Sequence, residues 1–156
     1  MRLTVISVGK NAETFVRDAC DVYAARIRRY GVLNLTVVPE ERVAAQGKKE
    51  FILRQEGRRI RDKIPNPALQ VVLDEKGKKI SSLDLARLLE KWSAAGVRDL
   101  AFILGGAYGL DEPLKDEADF CLSLSAMTLT HGMARMFLLE QIYRAFTLMR
   151  KEPYHK

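Results

Sequence analysis

Three glycines close the apolar run Phe102 to Leu104: Gly105, Gly106 and Gly109 follow it, with only Ala107 and Tyr108 between them. Glycine accepts positive φ and lets a ligand approach the main chain, so such a cluster at the carboxyl end of a strand borders a binding crevice. The Gly-Gly-x-x-Gly spacing is not the dinucleotide fingerprint, and no Gly-Lys-Ser/Thr follows to make a phosphate loop. Taken alone, the cluster is explained equally well by an ordinary tight turn.

A second segment narrows the chemistry. From Leu122 to Thr130 the small hydroxyl residues Ser123, Ser125, Thr128 and Thr130 alternate with apolar ones, and no acidic or basic side chain occurs between Asp119 and Arg135 apart from His131. Main-chain N–H and C=O groups flanked by aliphatic side chains suit a neutral, adenosine-bearing ligand better than a metal or a bare phosphate. An edge strand with a polar outer face is the competing reading.

Other chemistries are poorly supplied. Cys20 and Cys121 stand far apart, without zinc or redox spacing, and His131 and His155 are the only histidines; no metal site is expected. The amino terminus, Met1 to Lys10, lacks the longer apolar region of a secretory leader. No apolar run approaches the roughly 20 residues that span a bilayer, so a soluble, cytoplasmic protein without a membrane partner is expected. A formal charge of +6 favours an anionic partner, since basic surface attracts phosphate and releases its counterions.

The elements that must carry these groups read as one α/β domain over residues 1–156, with a mainly parallel sheet covered by helices on both faces. Strands are expected at Leu3 to Val8, Leu35 to Val38, Leu69 to Leu73, Leu100 to Leu104 and Phe120 to Leu124. A first helix places Phe15, Ala19, Val22, Tyr23, Ile27 and Tyr30 on one stripe. A second, charged helix from Lys48 to Ile64 offers Ile52, Ile60 and Ile64. Ser81 and Asp84 form a capping box for a third helix, with Leu85, Leu88, Leu89 and Trp92 as its apolar face and Gly96 as its stop. Asp111 is positioned to cap a short fourth helix, with Pro113 in its first turn.

The last helix, from about Gly132 to Arg150, has only a narrow polar stripe of Glu140, Arg144 and Thr147. Apolar residues cover most of the remainder, more than one buried face requires, which points to burial against a second copy in a homodimer, with a deeply buried core helix as the competing reading. Glu140 and Arg144 stand at i, i+4, the spacing of an ion pair. His131, at the turn into this helix, reads as a positioning or capping residue.

Phe102 to Leu110, Leu122 to Arg135, Glu140 to Phe146 and the ending Glu152 to Lys156 resemble the bacterial large-subunit (23S) rRNA methyltransferases of the SPOUT class, which act on N3 of a pseudouridine in helix 69. The resemblance spans the chain and is sharpest from Phe102 onward. It implies S-adenosylmethionine as methyl donor, a homodimer, and a carboxyl-terminal trefoil knot threaded by the last helix, a feature that periodicity does not anticipate. Carried over by position, the donor contacts Leu73, Gly105 and the loop residues Leu124, Ser125, Ala126, Met127, Thr128 and Leu129. His155 and Arg144 stand near the target base, with Tyr154 packing or orienting them.

Basic residues for RNA are Arg26, Arg28 and Arg29, then Lys48, Lys49, Arg54, Arg58, Arg59 and Arg61, and Lys76, Lys78 and Lys79. Such surfaces hold a structured RNA by its backbone while a pocket selects the nucleotide. Free rRNA and the assembled ribosome both remain open as the substrate. The rival from another class is a non-enzymatic ribosome or RNA-binding factor, which needs the basic surface but neither the glycine cluster nor the neutral loop.

Overall fold

A computed structural model describes residues 1–10, 13–41 and 49–155. Five strands and five helices follow one another in the order β1 (Arg2–Val8), α1 (Thr14–Ile27), β2 (Leu33–Val38), α2 (Lys49–Arg61), β3 (Leu69–Lys79), α3 (Ser82–Ala94), β4 (Asp99–Leu104), α4 (Glu112–Asp116), β5 (Phe120–Ser123) and α5 (His131–Met149). The sheet order is β2-β1-β4-β3-β5, and every pairing is parallel.

Alternate residues of the central strands feed two cores, as the period of two requires. Leu3, Val5, Val71, Leu100 and Phe102 point to the side where α1, α3 and α5 pack. Ile6, Val8, Val72 and Ile103 point to the other, where Ile60 of α2 and Leu114 of α4 meet them. Both faces of the sheet are thus covered, which is why its strands are apolar on consecutive positions.

Capping proceeds largely as the sequence indicates. Ser81 accepts from the Asp84 main-chain N–H while the Asp84 carboxylate accepts from Ser81, closing the capping box of α3. Gly96 takes φ +82 just past that helix, the left-handed stop that glycine favours. The N-cap of α5 is Thr130, whose Oγ1 accepts from the Met133 N–H at 3.3 Å; His131 is the first helical residue and does not cap.

Several details differ from expectation. On α1 the buried stripe is Val16, Cys20, Ala24 and Ile27, while Phe15 and Val22 are 62% and 48% exposed. Ile27 and Tyr23 of the expected stripe do face the core, but Phe15 and Val22 at its margin turn out because α5 packs on the Cys20 and Ala24 side. Asp111 occupies the N-cap position of α4 without bonding a helix N–H; its carboxylate instead meets Arg61 at 3.2 Å. Thr147 is buried rather than part of an outer polar stripe, its hydroxyl donating to the Arg144 carbonyl at 2.7 Å.

β3 also continues six residues beyond Leu73. After a register shift it rejoins β5, with Lys78 opposite Leu122 and Lys79 opposite Ser123. Gly77 permits this return, because a β-carbon there would stand 2.6 Å from the Leu122 carbonyl carbon. Among the described residues no helix is long and apolar enough to cross a membrane, and no group of three or more His, Cys, Asp or Glu could hold a metal ion.

Candidate functional site

Parallel strands place their carboxyl ends at one edge of the sheet, and loops leaving that edge form the crevice. β3, β4 and β5 end there beside one another. β4 leads into a tight turn in which the Gly109 N–H donates to the Gly106 carbonyl at 3.1 Å. Gly109 has φ +86, and a β-carbon on Gly105 would lie 2.2 Å from the Gly109 carbonyl oxygen. The glycine cluster is therefore a tight turn and a pocket wall together.

After β5 the chain leaves the sheet and is braced by its own hydroxyls. Ser123 Oγ donates to the Ser125 carbonyl at 3.1 Å, and Ser125 Oγ accepts from the Met127 N–H at 2.9 Å. Thr130 then caps α5. These bonds leave much of the intervening main chain outside the sheet ladder, where its polar groups can meet a ligand.

Together these loops bound a cavity of about 660 Å³, a size that suits a small-molecule ligand. Leu73, Gly105, Leu124, Ser125, Met127, Thr128 and Leu129 all line it. Ala126 lies instead on a contiguous cavity of about 230 Å³ with Lys76 and Lys79. The main pocket is not wholly neutral: Asp74 and Glu112 stand on its rim and both bind Lys115, at 3.3 and 2.5 Å. Their signal in the sequence was position, since Asp74 follows the apolar part of β3 directly and Glu112 opens the helix after the glycine turn.

A second cluster forms at the far end of α5. Glu140 binds Arg144 (Nη2–Oε1 2.5 Å), and Arg144 Nη1 stands 3.3 Å from His155 Nδ1. The Tyr154 hydroxyl donates to Glu140 at 3.1 Å, and its ring meets Tyr143 edge-on at 4.7 Å. Bonding to Glu140 raises the Arg144 guanidinium, which stays cationic. Burial, with bonding to Tyr23 and Glu140, holds the Tyr154 phenol well above its usual range, so it is a donor near neutrality and not a base.

A guanidinium has no acceptor, so His155 Nδ1 must accept in its contact with Arg144. The tautomer that fits this contact carries its proton on Nε2. The tail bearing these groups is fixed by a turn at the end of α5: Glu152 N–H donates to the Thr147 carbonyl at 2.8 Å and Lys151 N–H to the Leu148 carbonyl at 3.1 Å. Lys151 sits at φ +56 between them, the Schellman arrangement with lysine in the usual glycine place. Tyr30 reinforces the tail by donating to Glu152, and burial followed by that bond pushes its phenol up to about 12.

The two clusters do not meet within one chain. His131 lines the pocket and Arg144 does not. At about 1.5 Å per residue they stand roughly 20 Å apart along α5.

A family model described as "Predicted SPOUT methyltransferase" matches residues 1–155. The chain belongs to the SPOUT methyltransferase family. Among curated relatives, the proteins named "Ribosomal RNA large subunit methyltransferase H" of Syntrophotalea carbinolica and Geotalea uraniireducens are 44% and 45% identical to this chain over 155 residues, covering 99% of each partner in the comparison. Solved structures share the fold at low identity. A probable methylase family protein from Haemophilus influenzae aligns with TM-score 0.55 and 14% identity, over 99% of this chain and 70% of its own. A probable methyltransferase from Bordetella pertussis aligns with TM-score 0.54 and 15% identity, over 92% and 95%.

Membership of the SPOUT methyltransferase family makes the chain an enzyme of methyl transfer. Of the basic residues expected to meet RNA, three are engaged internally. Arg26 lies over Tyr23 and Tyr143, each at 5.5 Å. Arg59 donates to the Pro39 carbonyl and binds Glu41, and Arg61 binds Asp111 and Glu117. Arg28, Arg29, Lys49, Arg54, Arg58, Lys76, Lys78 and Lys79 are exposed; Lys48 lies outside the described residues.

Proposed function

We propose that the chain methylates N3 of a pseudouridine in helix 69 of 23S rRNA, on the ribosome, with S-adenosylmethionine as donor. The observation that carries this reading is the convergence of Leu73, Gly105, Leu124, Ser125, Met127, Thr128 and Leu129 on one pocket at the sheet edge, together with relatives named for large-subunit rRNA methylation. The pocket suits the donor chemically. Leu73, Leu124 and Leu129 offer apolar contact to an adenine, and loop main chain offers its hydrogen bonds. When bound, S-adenosylmethionine supplies an electrophilic methyl group.

N3 of the target base is flanked by two carbonyls and bears a proton that is lost to solvent as the N–C bond forms. Arg144, fixed as a cation by Glu140, and the Nε2–H of His155 stabilise the negative charge that develops on those oxygens. Tyr154 orients both through its bond to Glu140 and its ring beneath Arg144. Because the pocket and the tail of one chain stand about 20 Å apart along α5, a complete site takes its tail from the second copy of a homodimer. Phe15, Val22 and Phe137, exposed on the neighbouring helices α1 and α5, are apolar surface for that contact. The trefoil knot belongs to the same reading, as a property of the family that the chain resembles.

Mass-spectrometric mapping of large-subunit rRNA from a strain lacking the gene tests the whole: one methylated pseudouridine is lost and is restored by the intact gene. Unchanged rRNA would remove the assignment. Calorimetry with S-adenosylmethionine separates it from an RNA-binding factor, which would not bind the donor. Co-expressed Gly105→Ala and Arg144→Ala chains test the shared site, since their mixed dimer regains one complete site only if pocket and tail come from different copies.

A further inference from the structure

α2 is a charged helix, yet its inward stripe is Ile52, Glu56 and Ile60, with Gly57 beside them. Glu56 is 3% exposed. One carboxyl oxygen accepts from the Glu41 N–H at 3.0 Å; the other, Oε2, has no hydrogen-bond partner among the described residues. That free oxygen lies under the glycine turn, where a β-carbon on Gly106 would be 3.2 Å from it. One residue on, Gly57 gives the Asp111 carboxylate room at the other end of the same turn, since a β-carbon there would meet it at 2.5 Å. The turn that walls the pocket thus rests on two consecutive residues of α2, the helix that also lends Lys49 and Leu53 to the pocket lining.

We propose that Glu56 is a positioning residue for the donor pocket: wedged beneath Gly106 and tied to Glu41, its carboxyl group sets where the Gly105 to Gly109 turn stands. A buried group of this polarity without a function costs stability, and an apolar residue would fill the stripe better. Burial raises the Glu56 carboxyl above its ordinary value; Glu40 and Glu41 add to this, while the Glu41 N–H and Arg59 oppose it. On one side the carboxyl group accepts from the Glu41 N–H; on the other it bears on Gly106 by close contact. This inference rests on the pocket being the S-adenosylmethionine site.

The test compares Glu56→Gln, Glu56→Ala and the core control Ile60→Ala in two measurements at a temperature where all are folded: donor affinity by calorimetry, and hydrogen exchange of residues 104–110. Glu56→Gln, which keeps the shape, is expected to bind within about threefold of wild type. Glu56→Ala is expected to bind at least tenfold more weakly and to exchange faster over the turn, and Ile60→Ala to do neither. Wild-type affinity and wild-type exchange in Glu56→Ala would overturn the proposal, as would Ile60→Ala matching Glu56→Ala in both. Should the wild-type chain itself fail to bind the donor, the donor reading falls, while the exchange arm still decides whether Glu56 holds the turn.

Discussion

The Arg144 guanidinium carbon lies 4.8 Å from the centre of the Tyr154 ring, and both residues bond the same oxygen of Glu140. The tail is thereby held by charge, ring and hydroxyl together. Arg144→Ala should lower the methylation rate about 100-fold or more, the scale for losing a donor to a developing anion, with donor affinity unchanged. Tyr154→Phe keeps the ring and loses the hydroxyl's bonds to Glu140 and Tyr23, so its loss should be under about tenfold. Single-turnover methylation of ribosomal substrate beside donor calorimetry checks both; equal losses would show that the hydroxyl, not the ring, sets the arginine.

Gly105→Ala should abolish donor binding in a folded protein. Its methyl group would come 2.2 Å from the Gly109 carbonyl oxygen, so the turn must open. Circular dichroism should report a native helix content while calorimetry with S-adenosylmethionine shows no heat. Retained donor affinity would place the ligand away from this turn.

Glu56 also predicts a pH dependence. Its folded-state value is raised, so the stability it contributes is fully present below the ordinary glutamate value of about 4.3 and is lost as pH rises through the folded value. Glu56→Gln cannot ionise. Its melting temperature should therefore rise relative to wild type as pH is taken from the acid side of that range to neutrality, and a constant difference would refute the raised value.

Lys151→Gly should stabilise the chain. The lysine sits at φ +56, which costs a residue with a β-carbon about 1 kcal/mol that glycine does not incur. Thr130→Ala should act in the opposite direction by about 1 kcal/mol, the worth of an N-cap bond. Urea denaturation of the two variants reads both signs.

Much of this architecture was legible in the residues. The strands were visible as short apolar runs, consecutively so in the doubly covered central ones, and the capping box of α3 is a local pattern that tertiary contacts do not override. The pocket followed from glycine spacing and an uncharged loop. What escaped was set by partners distant in sequence. The inward face of α1 depends on where α5 lies, so Phe15 and Val22 turned outward. The continuation of β3 through Asp74 to Lys79 looks like a charged loop and becomes strand only because Gly77 lets β5 come close. Glu56 stands at i+4 from Ile52 and i−4 from Ile60, which marked it for the interior, but its charge disguised that position.

α5 begins at the sheet-edge pocket and ends at the tail cluster as one unbroken helix. Its residues therefore act as a shaft that fixes the angular phase between the two, about 100° for each residue. A single residue inserted between Leu139 and Tyr143 would leave the pocket intact yet swing Arg144, Tyr154 and His155 more than a quarter turn about the shaft. Length in this helix is thus as constrained as any side chain that it carries.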